Sequence, residues 1–338
     1  MHASKIDILS QSKKWLLRKT FRTGWFSEQP THLNIFTTDR CNFSCSYCSR
    51  NIEDFSPDAE YRYDDKSEFH TANLVTLLDK YPKIQSVSFV GIGEPFLIKD
   101  LFPMARLAKE RGKKTSVISN GSLLHRHWGN IGDCFDNISI SLHGLNATEI
   151  MSIAKVKDRT FNQFMENLRK LNHVEVTQHP HLRVSASVVL LKQNLDRVRS
   201  AAALCAEVGI QELDLQNYLT LGPDAVKNVI FDDEKEYIDF THTLVAEYAG
   251  RVKINQPVWI KRDESKMSWG CVSFYRYLRV DGLGNVSGCG RIMPPKAENG
   301  NFLKEADVFS NKYFHSMQMA FRNGEGIPAC CRHCPDAQ

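Results

Sequence analysis

No run in this sequence is long and apolar enough to span a membrane, and its first residues, Met1-His-Ala-Ser-Lys-Ile6, lack the apolar stretch of a secretory signal. That excludes a membrane-embedded class and points to the reducing cytoplasm. Charge of one sign is also scarce. The 43 Lys and Arg stand against 39 Asp and Glu, a formal charge of +4 at pH 7. With no interleaving of basic and aromatic residues, this excludes a nucleic-acid partner. Internal repeats, low-complexity tracts and long linkers are absent too. What remains is an ordinary globular composition, 338 residues with 42% hydrophobic and 24% charged. Such a chain can bury a sizeable core as one large domain plus a smaller unit.

The ten cysteines carry most of the remaining information, because in a reducing compartment a cysteine pattern means metal or catalysis rather than disulfides. Three stand close together as Cys41-x-x-x-Cys45-x-x-Cys48, in Ile35-Phe-Thr-Thr-Asp-Arg-Cys-Asn-Phe-Ser-Cys-Ser-Tyr47-Cys48. Three thiolates at this spacing can grip three corners of a cubane iron–sulfur cluster. No fourth cysteine is nearby, so one iron would stay open to a chelating ligand. A structural zinc site is the alternative, but zinc favours C-x2-C pairs and four ligands.

From His32 onward the pattern alternates. Strand-like runs at 33–37, 86–90, 115–118, 138–142, 182–190 and 212–215 are separated by helical patterns at 68–80, 101–109, 161–171 and 195–208. Gly112 and Gly209 follow two of these helices as C-terminal caps do. This alternation predicts a parallel sheet with right-handed crossovers. An amphipathic helix is expected at 5–20, and a long acidic, aromatic loop at 53–68 follows the cysteines. After about residue 256 the texture becomes strand–turn–strand, with Asp281-Gly282 between alternating runs as a hairpin signal. The expected division is 1–30 cap, 31–255 barrel and 256–338 C-terminal unit.

In parallel α/β folds function gathers at the C-terminal ends of strands. The second strand ends in Gly91-Ile-Gly93-Glu94-Pro95, the third in Ser119-Asn120-Gly121, and the fourth runs Ile138-Ser-Ile-Ser141-Leu-His143-Gly144. Glycines would let a ligand approach the backbone, and Glu94 can accept a hydrogen bond or attract an ammonium. Each segment also reads as a simple turn. Together with the cysteine motif, in which Tyr47 is the aromatic before the last Cys, they resemble the radical S-adenosylmethionine (SAM) superfamily.

The resemblance implies a partial (β/α)6 barrel and a SAM-binding [4Fe–4S] cluster on Cys41, Cys45 and Cys48. It places Tyr47, Gly91, Gly93, Glu94, Pro95, Ser119, Asn120, Ser141, Lys155 and Ser185 around SAM, with Glu94 toward the amino group and Lys155 toward the carboxylate. The sequence departs from the family at Ile92 and at His143, which stands where an acid is usual.

A second constellation comprises Cys271, Cys289, Cys331 and Cys334. From ligand type alone it suits zinc. Its setting, Val280-Asp-Gly-Leu-Gly-Asn-Val286, Gly300-Asn301 and Pro328-Ala-Cys-Cys331, resembles SPASM or twitch extensions. That implies a small hairpin-plus-helix unit with an auxiliary [4Fe–4S] cluster. Cys330 is then spare, a bystander or a hydrogen-atom donor, while Cys134 and Cys205 read as core residues. The implied function is a radical SAM oxidoreductase that takes hydrogen from a substrate C–H, using an electron donor such as flavodoxin or ferredoxin. A two-electron oxidation of a small sugar- or cyclitol-type molecule is the first expectation. Peptide epimerisation, crosslinking or maturation is the second, and a non-catalytic iron–sulfur protein the third. Only about thirty residues precede the first strand, so a peptide would be expected to use the barrel mouth.

Overall fold

The computed structural model describes residues 29–46, 48, 50, 67–218, 225–263, 265, 270–289, 291 and 294–337. The helix expected at 5–20, Tyr47 and nearly all of the loop expected at 53–68 lie outside the described residues.

Seven strands pair in parallel, each with the next in sequence: β1 (His32–Phe36), β2 (Ser86–Val90), β3 (Lys114–Ser119), β4 (Asn137–Ser141), β5 (Arg183–Leu190), β6 (Glu212–Asn217) and β7 (Lys253–Asn255). Between them run α1 (Thr71–Lys80), α2 (Leu101–Glu110), α3 (Ala147–Ala154), α4 (Asp158–Lys170), α5 (Leu195–Val208) and α6 (Lys235–Glu247). This is the expected α/β architecture, a parallel sheet forming a partial barrel.

Alternation along the strands explains the layers. Leu33, Ile35, Val87, Phe89, Ile138, Ile140, Ala186 and Leu213 are fully buried on the helix side, each large apolar side chain contributing about 1.5–3 kcal/mol by leaving water. The other face carries Asn34, Ser88, Ser116, Ser139, Ser141, Ser185 and Ser187, all partly exposed. Parallel sheets usually bury both faces. Here the concave face is polar and open, and even Ile118 is 47% exposed on it.

All six expected strands are present with slightly shifted ends. The helix expected from Glu68 starts at Thr71, because Glu68 bridges back to Thr38 and the Phe69 N–H donates to the Thr37 carbonyl at 2.9 Å. The helix expected from Phe161 begins earlier, at Asp158. α3, α6 and β7 were not foreseen, since α3 and β7 are short and β7 is mostly polar. Asn146 caps α3 by accepting from the Glu149 N–H at 2.9 Å.

In the C-terminal region, Ser273–Arg276 form a short helix. β8 (Tyr277–Val280) and β9 (Asn285–Ser287) follow, antiparallel, with β10 (Lys296–Asn301) beside β9 and then α7 (Lys312–Asn323). The Asp281 carboxylate holds the turn by accepting from the Leu283 and Asn285 N–H groups at 2.9 and 2.8 Å. β8 lies parallel to β1, so the hairpin extends the barrel's own sheet and the described strands form one ten-stranded order, β10-β9-β8-β1-β2-β3-β4-β5-β6-β7. No helix among the described residues is long and apolar enough to cross a membrane.

Candidate active site

The loop leaving β1 carries Cys41, Cys45 and Cys48, and hydrogen bonds fix its path from two sides. The Gly93 and Glu94 N–H groups donate to the Thr38 and Arg40 carbonyls at 3.1 and 2.8 Å, joining the loop to the turn after β2. On the other side, the Ser44 and Ser46 N–H groups donate to the Ala154 and Ile153 carbonyls at 2.9 Å each. Those carbonyls end α3 and have no partner within the helix. A Cβ at position 93 would fall 2.2 Å from the Arg40 carbonyl oxygen and 2.3 Å from that of Thr38. The glycine is therefore required by the chain's own backbone, before any ligand is considered.

The Phe43 N–H and the Asn120 Nδ2 donate to Cys41 Sγ at 3.4 and 3.9 Å. Burial pushes the Cys41 thiol above its ordinary value. It lifts Cys45 to about 12, with the neighbouring Cys48 and Cys41 adding to the effect. Such thiols are costly to ionise in the protein alone, and a positively charged group among them would favour the thiolates.

Glu94 is 2% exposed. Its Oε1 accepts from the Ser119 hydroxyl at 2.8 Å and the Phe96 N–H at 3.2 Å, and its Oε2 from the Asn120 N–H at 2.8 Å. Burial pushes the carboxyl up to about 7 against the pull of these donors. Sequence reading makes Glu94 a direct partner for an ammonium. In the structure it is first a buried tie between the turn after β2 and the end of β3, with acceptor capacity for about one more donor.

Asn120 is likewise engaged internally. Its Nδ2 donates to Asn42 Oδ1 at 2.9 Å, while its Oδ1 accepts from the Ser122 N–H and hydroxyl at 2.9 and 2.6 Å. Asn42 Nδ2 completes the ring on Ser122 Oγ at 2.8 Å. Sequence reading missed Asn42 and Ser122, whose only signal was that each flanks a residue already singled out.

Lys155 is exposed and caps α3 at φ 57°, the one non-glycine residue with positive φ among the described residues. It directly follows the carbonyl that receives the cysteine loop. Ser141 ends β4 and Ser185 lies lower on β5, both on the concave face. His143 stands edge-on to Phe43 with ring centroids 5.9 Å apart. Burial, with the Arg197 charge, holds its pKa down to about 4.

Far along the chain, Cys271, Cys289, Cys331 and Cys334 line one cavity together with Arg291 and Asp336. Arg291 Nε donates to Asp336 Oδ2 at 2.6 Å, and the Arg291 N–H to Cys289 Sγ at 3.5 Å. Burial pushes Cys271 and Cys334 up to about 12. The Cys331 thiol is pushed up by its hydrogen bond with Cys330, then by burial. Cys330 itself is partly exposed and does not line the cavity. Cys134 and Cys205 are buried, as expected of core residues.

Residues 35–205 match the family model of the radical SAM superfamily, which is half of the chain. The chain belongs to the radical SAM superfamily. Among its relatives are the tungsten-containing aldehyde ferredoxin oxidoreductase cofactor-modifying protein of Pyrococcus furiosus, 25% identical over 207 residues, covering 60% of this chain and 55% of that protein. A probable GTP 3',8-cyclase of Metallosphaera sedula is 28% identical over 191 residues, 54% of each chain. The chain thus spans about half the length of these curated relatives. Among solved structures, Streptococcus suis SuiB bound to precursor peptide SuiA shares the fold with a TM-score of 0.65 at 14% identity, over 99% of this chain and 76% of that one. Native anSMEcpe with bound AdoMet gives a TM-score of 0.59 at 14% identity, over 90% and 89%.

Membership in the superfamily implies a [4Fe–4S] cluster and SAM, and the residues here suit them. The first cysteine loop offers soft thiolate donors, with N–H groups aimed at Cys41 Sγ. Among the described residues no three His, Cys, Asp or Glu donors gather tightly enough for a single metal ion.

Proposed function

We propose that this protein is a radical SAM oxidase acting on a small polar molecule of the sugar or cyclitol type. In this reading Cys41, Cys45 and Cys48 hold a cluster with one open iron. Tyr47, the Gly91–Pro95 turn, Ser119, Asn120, Ser141, Lys155 and Ser185 surround SAM. Cys271, Cys289, Cys331 and Cys334 hold an auxiliary cluster in a SPASM- or twitch-like unit over residues 256–338. When bound, the cluster and SAM supply one-electron cleavage of the sulfonium and a 5′-deoxyadenosyl radical that removes a hydrogen atom from a substrate C–H.

The observation that carries oxidation is the second cavity, with four cysteines from separate segments around it. Four protein thiolates would leave no iron open to SAM or substrate, so the site would serve to take an electron and to hold the C-terminal unit together. Loaded, Cys271, Cys289, Cys331 and Cys334 would hold a group able to take one electron from a substrate that has lost a hydrogen atom, the accompanying proton going to solvent. The first electron comes from a cytoplasmic donor such as flavodoxin or ferredoxin. The polar concave face, with Ser88, Ser116, Ser139, Ser141, Ser185 and Ser187 partly exposed, supports a hydroxyl-rich substrate.

A second reading is peptide modification. It draws on the fold shared with SuiB, which was crystallised with a precursor peptide, and on Cys330, a partly exposed thiol outside the cavity lining. The test is anaerobic reconstitution, reduction and incubation with SAM. Release of 5′-deoxyadenosine supports the radical class, and deuterium transfer from a labelled polyol or peptide separates the two substrates. Protein that takes up zinc and no iron overturns both.

A further inference from the structure

We propose that Arg279 sets the charge of the four-cysteine site and thereby raises its readiness to accept an electron, an inference that rests on reading this site as a metal–thiolate centre. Arg279 lies on β8 and is 5% exposed. One Nη donates to the carbonyl of Gly288, the residue before Cys289. The guanidinium stacks 4.6 Å from the Tyr277 ring centroid. Its Nε has no hydrogen-bond acceptor among the described residues.

A buried guanidinium stays charged and needs counter-charge. Asp336, a carboxylate in electrostatic reach, is already bound by Arg291. Cys289, Tyr277 and Cys271 are in electrostatic reach as well. With its Nη on the Gly288 carbonyl, next to Cys289, the guanidinium draws counter-charge from the thiolates of the loaded site. Four thiolates outweigh the net positive charge of a cluster's iron–sulfide core and leave a net anion. Reduction adds one further negative charge beside Arg279, so the guanidinium favours the reduced form and raises the potential.

The experiment uses the full chain in a Cys41→Ala/Cys45→Ala/Cys48→Ala background, which leaves the C-terminal site as the one spectroscopic signal. Arg279→Met removes the charge at similar length, and Arg279→Lys keeps it. In a redox titration monitored by electron paramagnetic resonance, Arg279→Met should lower the midpoint potential while Arg279→Lys stays near the parent. After the metal is chelated out, Arg279→Met should melt higher than the parent, because an uncompensated buried cation has gone. An unchanged potential in Arg279→Met overturns the assignment. So does a lower melting temperature of chelated Arg279→Met, which also decides the matter if that variant takes up no metal. Should the site hold zinc, the iron–sulfur reading fails on its own. Faster zinc loss to a chelator from Arg279→Met would still support the charge role, and equal loss would overturn it.

Discussion

Glu94 Oε2 accepts the backbone N–H of Asn120 at 2.8 Å, so one buried carboxylate ties the turn after β2 to the end of β3. Replacing Glu94 with Ala strands three buried donors and should cost about 1–3 kcal/mol of stability, read from urea denaturation. The effect should depend on pH. The folded carboxyl titrates at about 7 against an ordinary 4.5. The native state keeps the proton longer, so this group's contribution is full below about 4.5 and is lost as pH rises through about 7. The stability gap between the parent and Glu94→Gln should therefore narrow across that window in thermal melts. A constant gap would show that Glu94 ionises normally.

Gly93→Ala should be more severe than an ordinary surface change. Its Cβ would fall 2.2 Å from the Arg40 carbonyl oxygen, and overpacking of this kind costs about 1–3 kcal/mol. Because Arg40 directly precedes Cys41, iron uptake at the first site should fall as well. Normal melting with full iron content would refute this.

Lys155→Gly separates strain from ligand binding. At φ 57° a residue with a Cβ costs about 1–2 kcal/mol, part of which glycine returns through its own unfolded-state entropy. The variant should melt slightly higher while binding SAM more weakly in calorimetry. Unchanged SAM affinity would reduce Lys155 to a helix cap.

Iron content tests the proposed clusters together. Reconstituted protein should hold on the order of eight irons, and the Cys41→Ala/Cys45→Ala/Cys48→Ala variant about half. That variant should release no 5′-deoxyadenosine. Cys289→Ala should still cleave SAM but yield no oxidised product.

Cys330→Ala distinguishes oxidation from epimerisation. An oxidase should keep both clusters and its product. Protein that retains SAM cleavage and both clusters yet loses product would favour Cys330 as a hydrogen donor.

What the sequence determined by itself was local. The alternation of Leu33 and Ile35 with polar neighbours, or of Val184, Ala186 and Val188, marks strands because side chains alternate across a sheet. Gly209, at φ 78°, ends α5 in a left-handed conformation that glycine adopts readily. The spacing of Cys41, Cys45 and Cys48 is likewise a property of eight consecutive residues. The structure decided what depends on segments meeting across the chain. It placed β8 against β1, gathered Cys271 and Cys289 with Cys331 and Cys334, and turned Glu94 inward to Ser119 and Asn120. It also buried Arg279 and set one Nη on the Gly288 carbonyl, next to Cys289. Those outcomes follow from packing and desolvation between distant residues, which no local pattern encodes.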